Sequence, residues 1–332
     1  MRVLLTGSTG FIGSHLIRRL VGTSHDLRCL VRDPGGRAAR TLACRGAELV
    51  AGDVTDPESV RRAVDGCDAV VHLANIYSFW ERDPRVFDAV NVEGTTHVME
   101  AALAAGVSRV VHLSTVEALE QAPRDNRYAR SKYAGEQRAW AAAQRGLPLV
   151  VLCPGAVLGR GDRKPTGRYI RDLARRHLPF ALCTRTVLTM VHVRDVVEAI
   201  VGALERPDAV GKRYIVGVHQ VSIAELNRMV SEIAGVPVPD RRLPGALVLP
   251  VAALLTGLAR LTGRPPAWGL SLDMARVLRR GFRYDGSAAA RELGFSYSSV
   301  REAVAEMLGV GAGRGPGSGV RDPGLATVML GT

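Results

Sequence analysis

The chain has 332 residues, 47% hydrophobic and 23% charged, with a mean hydropathy of +0.07. Those values exclude a disordered chain and allow two or three domains of roughly 100–200 residues, or one large α/β domain with an appendage. The net charge of +12 invites a nucleic-acid reading, but only three of the 44 basic residues are lysines and aromatics make up 5%. No basic block alternates with stacking rings, so nucleic acid is not an expected partner.

The first 155 residues alternate strand and helix signals. Short apolar runs occur at Val3–Leu5, Leu27–Val31, Leu49–Ala51, Ala69–Leu73, Val110–Leu113 and Leu149–Leu152. Runs of that kind suit strands buried on both faces of a parallel sheet. Helix-period segments lie between them at Ile12–Val21, Pro57–Val64, Val86–Ala105 and Ser131–Arg145, and Asp56-Pro57 reads as an N-cap followed by proline at the first helical position. The pattern predicts a doubly wound α/β domain over 1–155, to which the chain returns from its second half. After Pro154-Gly155 it loosens into a smaller mixed lobe over 156–309, with a basic loop at 159–168 and capping boxes at Ser222/Glu225 and Ser299/Glu302. The apolar stretch 245–259 is interrupted by Pro250 and is short for a bilayer span, so a core helix is expected and a surface that meets apolar substrate or membrane is the alternative. The glycine-rich stretch 310–332 has no periodicity and is expected to be disordered.

Five cysteines with no CxxC suit buried, reduced thiols, and Met1-Arg2 runs directly into the first strand, so a cytoplasmic protein is expected. The histidines show no metal-ligand spacing, and no metal is expected.

Two motifs carry chemistry. Thr6-Gly7-Ser8-Thr9-Gly10-Phe11-Ile12-Gly13 lies between the first strand and the first helix. Gly7 permits the tight turn, Gly10 lets backbone approach a diphosphate, and Gly13 lets the helix pack on the strand. The diphosphate then meets the free N–H groups of the helix N-terminus. Arg32-Asp33 ends the second strand: Arg32 suits the 2′-phosphate of NADP(H), whereas Asp33 suits the ribose of NAD(H). The order favours NADP(H) and leaves NAD(H) open. Asp53-Val54, after the third strand, is placed to meet the adenine, with a turn carboxylate as the plainer reading. The second motif is Tyr128-Ala129-Arg130-Ser131-Lys132. At i and i+4 on a helix, the Lys132 ammonium is expected near the Tyr128 phenol, lowering its pKa for proton exchange near neutrality. Ser114-Thr115 ends the fifth strand and offers a hydroxyl to the reacting oxygen. Tyr77, Phe79 and Trp80 either line an apolar pocket or staple a loop; Arg160, Arg163, Lys164 and Arg168 either bind a substrate phosphate or are solvated.

These motifs resemble the extended short-chain dehydrogenases/reductases of the NAD-dependent epimerase/dehydratase family. TGSTGFIG at 6–13, HLAN at 72–75, NVEGT at 91–95, YARSK at 128–132, PG at 154–155 and VHVRDVVEA at 191–199 carry the likeness. Within the family the chain is most similar to the dihydroflavonol-reductase-like and hopanoid-associated sugar epimerase groups, through IYSFWERDP at 76–84, GDRKPTGRYI at 161–170 and LTGRPP at 261–266. The resemblance implies a Rossmann fold, a small-molecule substrate and a homodimer. It implies Thr115, Tyr128 and Lys132 as catalytic residues. It places Ala74, Asn91, Pro154 and Val157 at the cofactor, beside Tyr128 and Lys132. Thr115 and Tyr128 lie 13 positions apart, a shorter loop than the extended members usually have, which implies a more open site or a substrate gripped mainly by the C-terminal lobe. Thr115-Val116-Glu117 lacks the first acid of the dehydratases' Thr-Asp-Glu, so dehydration is not expected. The reading is an NADP(H)-dependent reductase or dehydrogenase of a ketone or secondary alcohol. An NAD-dependent nucleotide-sugar epimerase and a non-catalytic dinucleotide sensor are the alternatives.

Overall fold

The computed structural model describes residues 1–181, 185–239, 241 and 243–310. Cys183 and the expected disordered tail, apart from Val310, lie outside the described residues.

Seven parallel strands form the main sheet: β1 (Arg2–Thr6), β2 (Asp26–Val31), β3 (Glu48–Ala51), β4 (Ala69–His72), β5 (Arg109–Leu113), β6 (Leu149–Pro154) and β9 (Arg213–Val216). Their spatial order is β3-β2-β1-β4-β5-β6-β9, with every pair parallel. The order reverses between β1 and β4, and open sheets of this kind bind ligands in the crevice beyond the carboxyl ends there. The apolar runs become strands because both faces are covered. On one side Leu16, Ile17 and Leu20 of the helix Phe11–Leu20 pack with Val196 and Ile200 of the helix Val193–Glu205. On the other, Val60, Val98, Met99 and Ala139 come from the helices Pro57–Val64, Thr95–Ala104 and Arg127–Gln144.

The second half builds a smaller sheet, β10 (His219–Ser222), β8 (Val187–His192) and β7 (Ala156–Leu158), in the order β10-β8-β7, with β10 antiparallel to β8. The chain crosses between the sheets at Gly155 and Gly217. A Cβ at Gly155 would run into the Thr189 carbonyl oxygen, and one at Gly217 would sit 3.2 Å from the Thr189 methyl. Thr189 is fully buried and accepts a hydrogen bond from Tyr284 N at 2.8 Å, which ties the following loop to the same point.

Several local expectations hold. Asp56 caps its helix by accepting from Glu58 N, with Pro57 at the start. Ser222 and Glu225 form a reciprocal capping box, while at Ser299 the hydroxyl accepts from Glu302 N. Others need correction. The run 86–105 is not one helix: a short helix Arg85–Asp88 and a π-helical turn Ala89–Gly94 precede Thr95–Ala104. The basic loop ends at Lys164, where Pro165 opens a helix to Ala174. Cys44 is exposed, whereas Cys29, Cys67 and Cys153 are buried. The apolar stretch is no core helix. It runs unbroken through Pro250 from Gly245 to Thr262 and buries only Val248, Ala252 and Ala259.

Candidate active site

The glycine loop leaves β1 at the point where the strand order reverses. Gly7 has φ +70, and an added Cβ would lie 2.7 Å from Ala74 N, so the loop rests directly on the backbone that follows β4. A Cβ at Gly13 would meet Gly7 and Ser8 backbone, and Gly10 N donates to Gly7 O at 3.0 Å. Gly10 occupies the N-cap, and no side chain caps the helix Phe11–Leu20. The helices starting at Pro57, Arg127, Ile223, Leu272 and Val300 have a side-chain cap, whereas those starting at Arg37, Pro165, Gly245 and Ser287, like this one, do not. An uncapped N-terminus, with backbone that no side chain screens, fits a dinucleotide diphosphate. Thr9 and Gly10 are exposed there, Phe11 sets its ring edge-on to His15, and Ile12 packs on the core.

The turns after β2 and β3, where the adenosine is expected, are wide open. The Arg32 side chain is 83% exposed, with its Nε 4.0 Å from Asp53 Oδ2. Asp33 accepts from Gly35 N at 3.0 Å, so it is engaged in its own turn. Asp53 likewise accepts from Thr55 N and Oγ1, both at 2.9 Å, the plainer of its two expected roles, while its second oxygen faces Arg32. Val54 is buried against Gly94, and its carbonyl meets His97 Nδ1 at 2.9 Å.

Asn91 ties three elements together. Its Oδ1 accepts from Ile76 N at 2.7 Å, and its Nδ2 donates to Ile76 O and to Ser131 Oγ. It sits in the π-helical turn, whose wider geometry lets the Asn91 carbonyl protrude onto Gly135 of the Tyr128 helix; any Cβ there would collide with it. The same carbonyl accepts from Thr95 Oγ1, which lies 3.1 Å from His72 Nε2. Asn91 therefore positions the loop after β4 against the helix that carries the tyrosine. Pro154 ends β6 buried, and Val157, half-buried in β7, packs on the main core.

Asn126 caps the helix Arg127–Gln144 by accepting from Ala129 N at 2.7 Å, so Tyr128 lies in its first turn, four residues earlier than periodicity alone suggested. The phenol is 7% exposed. Its ring packs on Tyr77 at 4.9 Å and Phe79 at 6.0 Å, within an apolar cluster that includes Phe87 and Val277. Tyr77 and Phe79 thus line the site, and Trp80 lies outside this contact set. Thr115 is the neighbour that pulls the phenol's pKa down, and its hydroxyl accepts from Glu117 N at 3.3 Å. Ser114 instead donates to the buried Glu136.

Electrostatics correct one expectation. Tyr128 is pushed well above its ordinary value, first by burial and then by Tyr77 and Glu117, with the Thr115 bond opposing. Lys132 is not among the leading influences on it. Its ammonium donates to Leu113 O at 2.8 Å, and burial lowers it to about 8. The i, i+4 spacing puts both residues on one face, but the lysine reaches down to the end of β5 while the tyrosine faces the aromatic cluster. Beneath them His72 and His112 stack at 5.3 Å; burial holds His72 down to about 3 and His112 well below 6.5. Both remain neutral at physiological pH. His192 caps a helix by accepting from Arg194 N, and no group of three metal-ligating side chains occurs among the described residues.

Sequence reasoning missed a buried carboxylate network beside the phenol. Glu117 accepts from Asn126 Nδ2 at 3.0 Å and from Arg280 at 3.3 Å, and Arg280 also holds Asp125 at 2.8 Å. Burial pushes the Glu117 carboxyl up. Glu117 was visible only as a neighbour of Thr115; Arg280 comes from 163 residues away and carries no local signal.

The family model described as the NAD dependent epimerase/dehydratase family matches residues 3–217. The chain belongs to that family. Among its relatives is a Synechocystis protein provisionally named dihydroflavonol 4-reductase, 31% identical with 92% of each chain covered. Sterol demethylase protein B of Methylococcus capsulatus is also 31% identical, covering 93% of this chain and 97% of its own. The crystal structure of gox2253 superimposes with a TM-score of 0.78 at 34% identity, covering 92% of this chain and 96% of its own. The family's cofactor is NAD, and the glycine loop's geometry agrees with it.

Proposed function

We propose that this chain is an NADP(H)-dependent oxidoreductase that interconverts a ketone and a secondary alcohol on an apolar substrate, with Tyr128 as the acid/base. The observation that carries the proposal is the wall around the phenol. Tyr77, Phe79, Phe87 and Val277 surround it with apolar surface, which suits a hydrophobic ketone better than a charged sugar nucleotide. The names of the two relatives, a flavonoid reductase and a sterol-processing protein, support the same substrate class.

When bound, the dinucleotide supplies the hydride. The chain does the rest. Thr115 and Tyr128 are near enough to interact, so a substrate carbonyl oxygen would accept from both hydroxyls. Because burial holds Tyr128 protonated at neutral pH, it stands ready as the proton donor, the state that reduction requires. As charge develops on the phenolic oxygen, Thr115 offsets part of the cost of burial, and Lys132, held at Leu113 O on the same helix face, would serve the cofactor ribose rather than the phenol. The exposed Arg32 guanidinium, only loosely paired with Asp53 at 4.0 Å, would turn to grip a 2′-phosphate, while Asp33 is occupied by its own turn.

Turnover of NADPH with a panel of apolar hydroxyketones tests the reading. Tyr128→Phe should lose about 10²–10⁴-fold in kcat, the usual share of a positioned general acid. Unchanged activity in that variant would refute the mechanism. A second reading, a nucleotide-sugar epimerase, is favoured by one contact: Lys164 Nζ lies 3.5 Å from Tyr77 O, which brings the basic loop to the pocket rim. Under that reading the cofactor copurifies and is not consumed.

A further inference from the structure

The helix Gly245–Thr262 departs from how surface helices are built. Val248, Ala252 and Ala259 form its buried stripe, packed with Leu270 and Ala275. The outward face should then be polar. Instead Leu247, Leu254, Leu258 and Leu261 lie 49%, 65%, 49% and 85% exposed, with Pro250 and Gly257 between them. At 100° per residue these positions share one face, roughly 130° round the helix from the buried stripe. The helix is long and apolar enough to cross a membrane, yet its inner stripe is docked on the protein, so it lies along the surface.

Two further features surround this face. Trp268, in the turn that follows, is held at φ +52, a backbone conformation costly for a bulky residue, and its ring stays 49% exposed with only an edge contact to Phe180. The charge is mostly basic: residues 240–273 contain four arginines and two acids, Asp240 and Asp273, one at each end. Arg82 joins them, its guanidinium within 4 Å of the Gly263 position. Among the described residues, none of Arg82, Arg260 and Arg264 makes an ion pair.

We propose that this face docks on the surface of an anionic phospholipid bilayer. Leucines on one stripe would enter the acyl boundary, Trp268 would sit at headgroup depth, and the unpaired arginines would meet lipid phosphates. A second copy of this chain is the less favoured occupant, because two such faces would bring like charges together. The docked face is one helix away from the tyrosine. Thr256 Oγ1 accepts from Leu272 N, Ser271 Oγ donates to Phe79 O, and Val277 of that next helix packs in the Tyr128 cluster. Docking would therefore hold the pocket near a source of apolar substrate.

Flotation of the full chain with vesicles of phosphatidylcholine alone, or mixed equally with phosphatidylglycerol, tests this without cofactor or turnover, so its failure leaves the reductase reading intact. The wild type should float with the anionic vesicles. Leu254→Glu and Leu258→Glu should each reduce partitioning at least tenfold with no fall in Tm, since both side chains point to solvent. Arg82→Ser/Arg260→Ser/Arg264→Ser should abolish the preference for anionic lipid. Wild-type protein that stays in solution overturns the proposal, as does partitioning that Leu258→Glu leaves unchanged. Light scattering that shows a dimer split by Leu258→Glu, with no vesicle binding, assigns the face to a second copy instead.

Discussion

Replacing Lys132 by methionine should stabilise the protein while it destroys catalysis. The side chain is 2% exposed, and among the described residues its ammonium has one hydrogen-bond acceptor, Leu113 O. Burial lowers its pKa from 10.5 to about 8, against the opposing influence of Glu136. At about 1.4 kcal/mol per pH unit, the folded chain disfavours the charged lysine by about 3 kcal/mol at neutral pH. Methionine removes that cost and leaves Leu113 O without a donor, a loss of about 1–2 kcal/mol, so the expected net stabilisation at pH 7 is about 1–2 kcal/mol. The sign follows from proton counts. The unfolded chain keeps the lysine proton up to its ordinary pKa, the folded chain only up to about 8. Wild-type stability attributable to this group therefore rises with pH between those values and carries the full cost below them. Urea unfolding of both proteins at pH 7 and pH 9.5 isolates the effect, because all other titrations cancel in the difference. The variant's advantage should shrink by about 2 kcal/mol over that interval. A variant less stable than wild type at pH 7, or a difference that does not change with pH, would refute the reasoning.

Three more outcomes follow from the site. Gly135→Ala forces a methyl against the Asn91 carbonyl and should cost about 1–3 kcal/mol, read as a lower urea midpoint. Arg32→Glu should raise KM for NADPH at least tenfold and leave KM for NADH nearly unchanged. Its side chain is 83% exposed, so Tm should hold. Asn126→Ala removes both the cap of the Tyr128 helix and a donor to buried Glu117; about 1–2 kcal/mol of stability should go, with kcat falling more than KM changes.

What could be read in advance was local. The strand–turn–helix around Gly7, the Asp56-Pro57 start and the Ser222/Glu225 box each lie within a few residues, and each is present. The parallel strands were legible because burial on both faces leaves continuous apolar runs. The π-helical turn was not: its apolar spacing passes for an ordinary helix, and its cause is the Gly135 contact, more than forty positions away. The pairing of Glu117 with Arg280 is equally remote. Spacing put Lys132 and Tyr128 on one helical face but could not say that the lysine turns to Leu113. Hydropathy placed 245–259 in the core because it reports the side chain's preference and not what surrounds it. Here the neighbours cover only one stripe.

The crossings at Gly155 and Gly217 have a mechanical consequence. Both press bare backbone against Thr189, itself laced to Tyr284. Gly155 meets Thr189 through backbone and Gly217 rests on its methyl, so the joint is tightly packed and leaves little room for the two sheets to shift. Substrate traffic must then be governed by the rim, by segments such as 76–82 and 159–164. A change of substrate can be written there without disturbing how the two sheets are fastened.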